Sequence, residues 1–106
     1  MPYRVASTLT LTDTFNHMTP DEQMVEQVAA LDIVNANGGV IEAQYGLWSD
    51  AAILTITMFP DQNACYRCEM QIGQRGAFNL RSQAALTMDE LLALTAEARA
   101  AATVKV

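Results

Sequence analysis

The chain has 106 residues, 51% of them hydrophobic and 17% charged, and a net charge of −6. That length holds one domain, 1–106, and the apolar share supplies a core and speaks against disorder. With one lysine, Lys105, and five arginines against twelve acids, the surface repels polyanions. Neither nucleic acid nor an anionic membrane surface is therefore an expected partner.

No run of about 18 apolar residues exists, so no membrane span is expected. The opening Met1-Pro2-Tyr3-Arg4 lacks the basic and then apolar pattern of a secretory signal. The expectation is a cytoplasmic chain whose two cysteines, Cys65 and Cys68, stay reduced.

Tyr3 to Leu11 alternates, with Tyr3, Val5, Ser7, Leu9 and Leu11 on one side, and reads as a half-buried first strand. Asp13 to Met18 reads as a polar connection. Thr19-Pro20-Asp21-Glu22 is a helix start, with Thr19 as cap, Pro20 at the first helical position and Glu22 closing a capping box. Met24, Val25, Val28, Leu31 and Val34 then recur at helical spacing until Asn37-Gly38-Gly39 ends the helix.

Val40 to Trp48 and Ala52 to Phe59 form a strand pair joined at Ser49-Asp50. Asp61 caps a second helix from about Gln62 to Gln74, and Phe78 to Leu86 alternates as a fourth strand. Thr87-Met88-Asp89-Glu90 repeats the capping box before an alanine- and leucine-rich helix to about Ala102, and Thr103 to Val106 reads as a tail.

The first six elements follow the order βαββαβ. The expected fold is therefore α+β and ferredoxin-like, with a four-stranded antiparallel sheet, two helices on one face and an additional C-terminal helix. Taking each strand's more apolar side as inward, the helix-facing set is Val5, Leu9 and Leu11, then Ile41, Ala43, Tyr45 and Leu47, then Leu54, Ile56 and Met58, then Phe78, Leu80, Ala84 and Leu86. The opposite face then carries Arg4, Thr8, Thr10, Glu42, Gln44, Thr55, Thr57 and Arg81, with Ile53 and Phe59 embedded among them. Such a face is either wet or covered by the same face of a second copy. The embedded apolar residues, and a third helix that needs a docking place, favour a homodimer.

Gly38-Gly39-Val40-Ile41-Glu42-Ala43-Gln44-Tyr45, Leu47, Phe59-Pro60-Asp61 and Leu86-Thr87-Met88-Asp89-Glu90 resemble the GYD-domain family over roughly residues 1 to 95. The resemblance implies a ferredoxin-like fold and a dimeric α+β barrel, and it implies no established activity. The name-giving Gly-Tyr-Asp is absent. Gly46-Leu47-Trp48-Ser49-Asp50 stands in its place.

Cys65-Tyr66-Arg67-Cys68 has the spacing of a redox dithiol, and three residues apart on a helix is also same-face packing, the plainer reading. A zinc site needs four ligands, more than these thiols and the single His17 supply, so no metal and no cofactor is expected. His17, in a polar loop, is the one imidazole and the one weak candidate for acid–base catalysis. Tyr45, Trp48 and Asp50 surround the hairpin and could line a ligand cleft or anchor a contact. Arg4 and Arg81 could meet an acidic ligand, or Glu42, on the open sheet face.

No phosphate-binding glycine loop, nucleophile elbow or metal-binding histidine pair is present. Met24, Met58, Met70 and Met88 read as gap fillers in the core. The expected function is small-molecule binding or protein interaction by a homodimeric domain. A cofactor-free enzyme of the α+β barrel type is the alternative, and a Cys65/Cys68 redox switch a third.

Overall fold

A computed structural model of the chain describes residues 2–104, with side chains described for 2–102. Eight elements run β1 (Tyr3–Leu11), α1 (Asp13–Asn16), α2 (Pro20–Ala36), β2 (Val40–Leu47), β3 (Ala52–Phe59), α3 (Gln62–Arg75), β4 (Phe78–Ala84) and α4 (Met88–Val104). The fold is α+β, a four-stranded antiparallel sheet in the order β2-β3-β1-β4. It carries α2 and α3 on one face and is ferredoxin-like, with α4 added at the C-terminal end. The last residue of the expected tail to be described, Val104, belongs to this helix. Lys105 and Val106 lie outside the described residues.

The caps form as the sequence requires. Thr19 Oγ1 accepts from Glu22 N–H at 3.2 Å while Glu22 Oε1 accepts from Thr19 N–H at 2.9 Å. Thr87 and Glu90 repeat the arrangement at 3.1 and 2.9 Å. The cap bonds from Thr87 are the main cause that lowers the Glu90 carboxyl, and Arg4 adds a smaller pull; Ala85 N–H donates to the Arg4 carbonyl at 2.9 Å, which holds the segment before α4 beside β1. Asp61 Oδ1 accepts from Ala64 N–H at 2.8 Å at the start of α3.

The expected loop after β1 contains a helix. The Thr12 hydroxyl caps Phe15 N–H at 3.2 Å and lies 2.7 and 3.0 Å from the carbonyls of Gly76 and Ala77. That pins α1 to the turn before β4 and drives Phe15 inward against Phe78, ring centroids 5.2 Å apart. The core sits here, between α3 and the sheet: Val5, Phe15, Phe59, Cys65, Cys68, Ile72 and Phe78, with Ala64 and Ala77.

Two strands face the other way from the sequence reading. In the ladder Val5 is opposite Thr57, Ser7 opposite Thr55 and Leu9 opposite Ile53. Cross-strand partners share a face, so Ile53, Thr55, Thr57 and Phe59 look toward the helices and Leu54, Ile56 and Met58 look away. In β2 the partners step from Ile41–Thr57 to Ala43–Ile56, leaving Glu42 as an extra residue in a bulge. Ile41 keeps its inward place, but beyond the bulge Ala43, Tyr45 and Leu47 join the open face and Gln44 turns in. The gap-filler reading of three methionines also fails, since Met24, Met70 and Met88 are exposed.

The α2 helix leans on α3 more than on the sheet. Arg75 donates from Nε and Nη2 to both carboxylate oxygens of Glu26, at 2.8 and 3.1 Å, and Asn37 Nδ2 donates to Gln71 Oε1 at 2.8 Å. Met24, Val25, Val28 and Leu31 of α2 remain exposed. α4 packs against no other element to any substantial extent, and its side chains from Met88 to Ala102 are all exposed. It lengthens the molecule to 60 Å and raises the radius of gyration to 17.0 Å, against about 13 Å for a compact chain of this size.

Candidate functional site

Because α2 leans away from the sheet, a cleft of about 330 Å3 opens between the inner sheet face, α2 and α3. This lies at the low end of the about 300–1,000 Å3 of small-molecule sites. Its walls are apolar: Leu9, Ile53 and Leu80 from the sheet, Leu31 and Val34 from α2, Ile72 from α3.

Across its floor the ladder sets one polar residue per strand. Gln44 is opposite Thr55, Thr55 opposite Ser7, and Ser7 opposite Ser82, and all four line the cleft. The Ser7 and Ser82 hydroxyls lie 2.7 Å apart in a hydrogen bond. Ser7 and Thr57 are buried, and among the described residues no buried side-chain polar atom lacks a partner. The row thus offers donors and acceptors from amide and hydroxyl groups at the base of an apolar space. One charged lining side chain, Glu69, comes from α3.

Cys65 and Cys68 line the same cleft from the inner side of α3, as free thiols. The Cys65 Sγ donates to Glu69 Oε1 at 3.8 Å. Burial first, and the Glu69 carboxylate second, push the Cys65 thiol up to about 12 and the Cys68 thiol up to about 11. Burial thus disfavours the thiolate that dithiol chemistry uses.

The native state holds these protons to higher pH than the unfolded chain, whose thiols titrate near 9.0. Their contribution to stability is therefore fully present below pH 9.0 and is lost as pH rises toward 11 and 12. At pH 8 the native protein is expected to leave both thiols unreacted with Ellman's reagent while a denatured sample titrates two. Rapid labelling of either thiol without unfolding would contradict this burial.

The other residues singled out from sequence lie elsewhere. His17 closes α1, exposed, with Nδ1 2.7 Å from the Asp13 carbonyl, and is not part of the cleft lining. Arg4, Arg81 and Tyr45 share the open sheet face. Arg4 Nε donates to Glu42 Oε1 at 3.3 Å, the ion pair allowed for above. Trp48 and Asp50 sit in the β2–β3 turn, with Trp48 98% exposed. Sequence reasoning missed the row of Gln44, Thr55, Ser7 and Ser82. Its one visible trace was Ser7 among apolar neighbours on the inward side of β1.

Among the described residues no group of three or more His, Cys, Asp or Glu side chains is placed to hold a metal ion. No described helix is long and apolar enough to cross a membrane. No family model matches the chain, and no curated protein matches it. Among solved structures, the chain is similar to the solution structure of the C-terminal domain of the MgtC protein from Mycobacterium tuberculosis. The two share 13% identity over 79% of this chain and 86% of that one, at a TM-score of 0.47.

Proposed function

We propose that this is a homodimeric domain that binds a small, neutral, largely apolar molecule in the cleft between its sheet and α2/α3. The observation that carries the reading is the polar row of Gln44, Thr55, Ser7 and Ser82 across the floor of an apolar space of about 330 Å3. Apolar walls supply affinity, and a few convergent polar groups fix orientation. Hydroxyl and amide groups suit a ligand hydroxyl, carbonyl or amide, while Glu69 at the α3 wall disfavours an anion. The homodimer part is supported by the apolar surface that a single chain leaves open on the outer sheet face and on α4.

The test is a titration of the purified protein with 1-naphthol, a neutral aromatic carrying one hydroxyl, followed by its fluorescence. Saturable binding of one molecule per chain is expected. Ser7→Ala with Ser82→Ala should weaken it about tenfold, the loss of a hydrogen bond worth roughly 1–1.5 kcal/mol, and Leu80→Trp should abolish it by filling the cleft. Binding that is unchanged in Leu80→Trp, or absent at millimolar probe, would overturn the cleft as a ligand site.

A further inference from the structure

We infer that α4 of each chain lies across the open sheet face of a second copy, so that two chains exchange their C-terminal helices. The inference rests on the homodimer reading above and names its contact. In proteins most of a helix's stability comes from packing an apolar side against a neighbour, yet α4 carries Met88, Leu91, Leu94, Ala98 and Ala101 at helical spacing along one exposed side.

The open face supplies a matching strip. Its apolar part spans two neighbouring strands, Ala43, Tyr45 and Leu47 of β2 beside Leu54, Ile56 and Met58 of β3. Two strands at about 4.8 Å spacing are as wide as one helix of about 10 Å. The 17 residues of α4, about 25 Å at 1.5 Å each, match the length of the eight-residue strands at about 3.3 Å per residue.

Charge agrees as well. In a chain of net charge −6, Arg4 of this face already meets Glu42 and its own chain's Glu90, which leaves Arg81 of the face to the Asp89 and Glu97 carboxylates of α4. Covering the exposed side of α4 and this strip, once for each copy, takes both apolar surfaces out of water. The contact is self-complementary and closes at two chains. It also leaves the ligand cleft, on the other face of the sheet, open.

The experiment mixes two full-length variants, Leu94→Cys and Ile56→Cys, with a short bismaleimide, the native Cys65 and Cys68 being buried under the opposite face. A covalent two-chain product joined between positions 94 and 56 is expected in the mixture, and either variant alone should give far less. In parallel, Leu91→Asp with Leu94→Asp should weaken the dimer at least 100-fold by sedimentation and leave the far-ultraviolet spectrum of the domain intact, since both side chains are exposed in the single chain.

Three results would overturn the exchange. Cross-linking within one chain of a variant carrying both cysteines, at dilutions where it sediments as a monomer, would mean that α4 folds back on its own sheet. A dimer that neither cross-links at these positions nor responds to the aspartates would place the contact elsewhere and leave the homodimer reading standing. A monomer at every concentration would remove both.

Discussion

Replacing Phe15 by alanine is expected to lower unfolding stability by about 3–5 kcal/mol, the usual cost of truncating a buried phenylalanine. For a domain whose total stability is of order 5–15 kcal/mol, this leaves little. Phe15 is 4% exposed and stacks, tilted, on Phe78. Its helix α1 has only four residues, too few to persist unaided, and is held by the Thr12 hydroxyl and the Phe15 ring. Loss of the ring opens a cavity in the core and frees the segment between β1 and α2. Urea denaturation of Phe15→Ala and Phe15→Leu checks this, and a loss below about 1 kcal/mol in the alanine variant would show that α1 is not part of the core.

Gly39→Ala is expected to cost about 1–3 kcal/mol through overpacking alone. A Cβ at position 39 would lie 2.8 Å from Val34 Cγ1, 2.9 Å from Phe59 Cε1 and 3.1 Å from the Val34 carbonyl oxygen. That oxygen cannot retreat freely, because it accepts from Gly39 N–H at 2.9 Å in the bond that closes the end of α2. The clash with the Val34 methyl can be relieved by removing it. Gly39→Ala in a Val34→Ala background should therefore cost less than the sum of the single changes, a coupling readable from a double-mutant cycle. Strict additivity would mean that the Phe59 ring and the Val34 carbonyl, rather than the Val34 methyl, set the cost.

The element order was legible because its signals are local. Thr19 with Glu22, Thr87 with Glu90, and Asp61 before α3 each announce a helix from a few adjacent residues, and all three caps form. The facing of β2 and β3 was not legible, because neighbours far along the chain set it. In β3 both sides are partly apolar, Ile53 and Phe59 on one and Leu54, Ile56 and Met58 on the other. Hydropathy alone chose the second, but pairing with β1 puts Thr57 opposite Val5 and buries it. A threonine packs there as a β-branched residue, its side chain lining the cleft. The bulge at Glu42 shifts half of β2 by one residue, and a shift of one exchanges every later side chain between faces.

These two reversals also hid the candidate site. Gln44 and Thr55 were read as outward, so the four-residue polar row could not be assembled, and Ser7 stood alone. His17, Trp48 and Asp50 drew attention as rare or reactive residue types, a property of composition rather than of position. α1 went unseen because Phe15 is flanked by polar residues. That α4 would extend from the body with little packing against the other described elements could not be read from its own sequence, since an alanine- and leucine-rich helix looks the same wherever its apolar residues end up.

The bulge in β2 has another effect, on how molecules of this protein can meet. β2 is an edge of the sheet, and an unbroken edge strand is a template onto which a strand of another molecule can add, and then another. At Glu42 the spacing of outward N–H and C=O groups is interrupted and an acidic side chain is present, so an incoming strand cannot stay in register along the whole edge. The irregularity that turns Tyr45 and Leu47 to the open face thus also guards against open-ended stacking of sheets. Strand addition along this edge is thereby disfavoured.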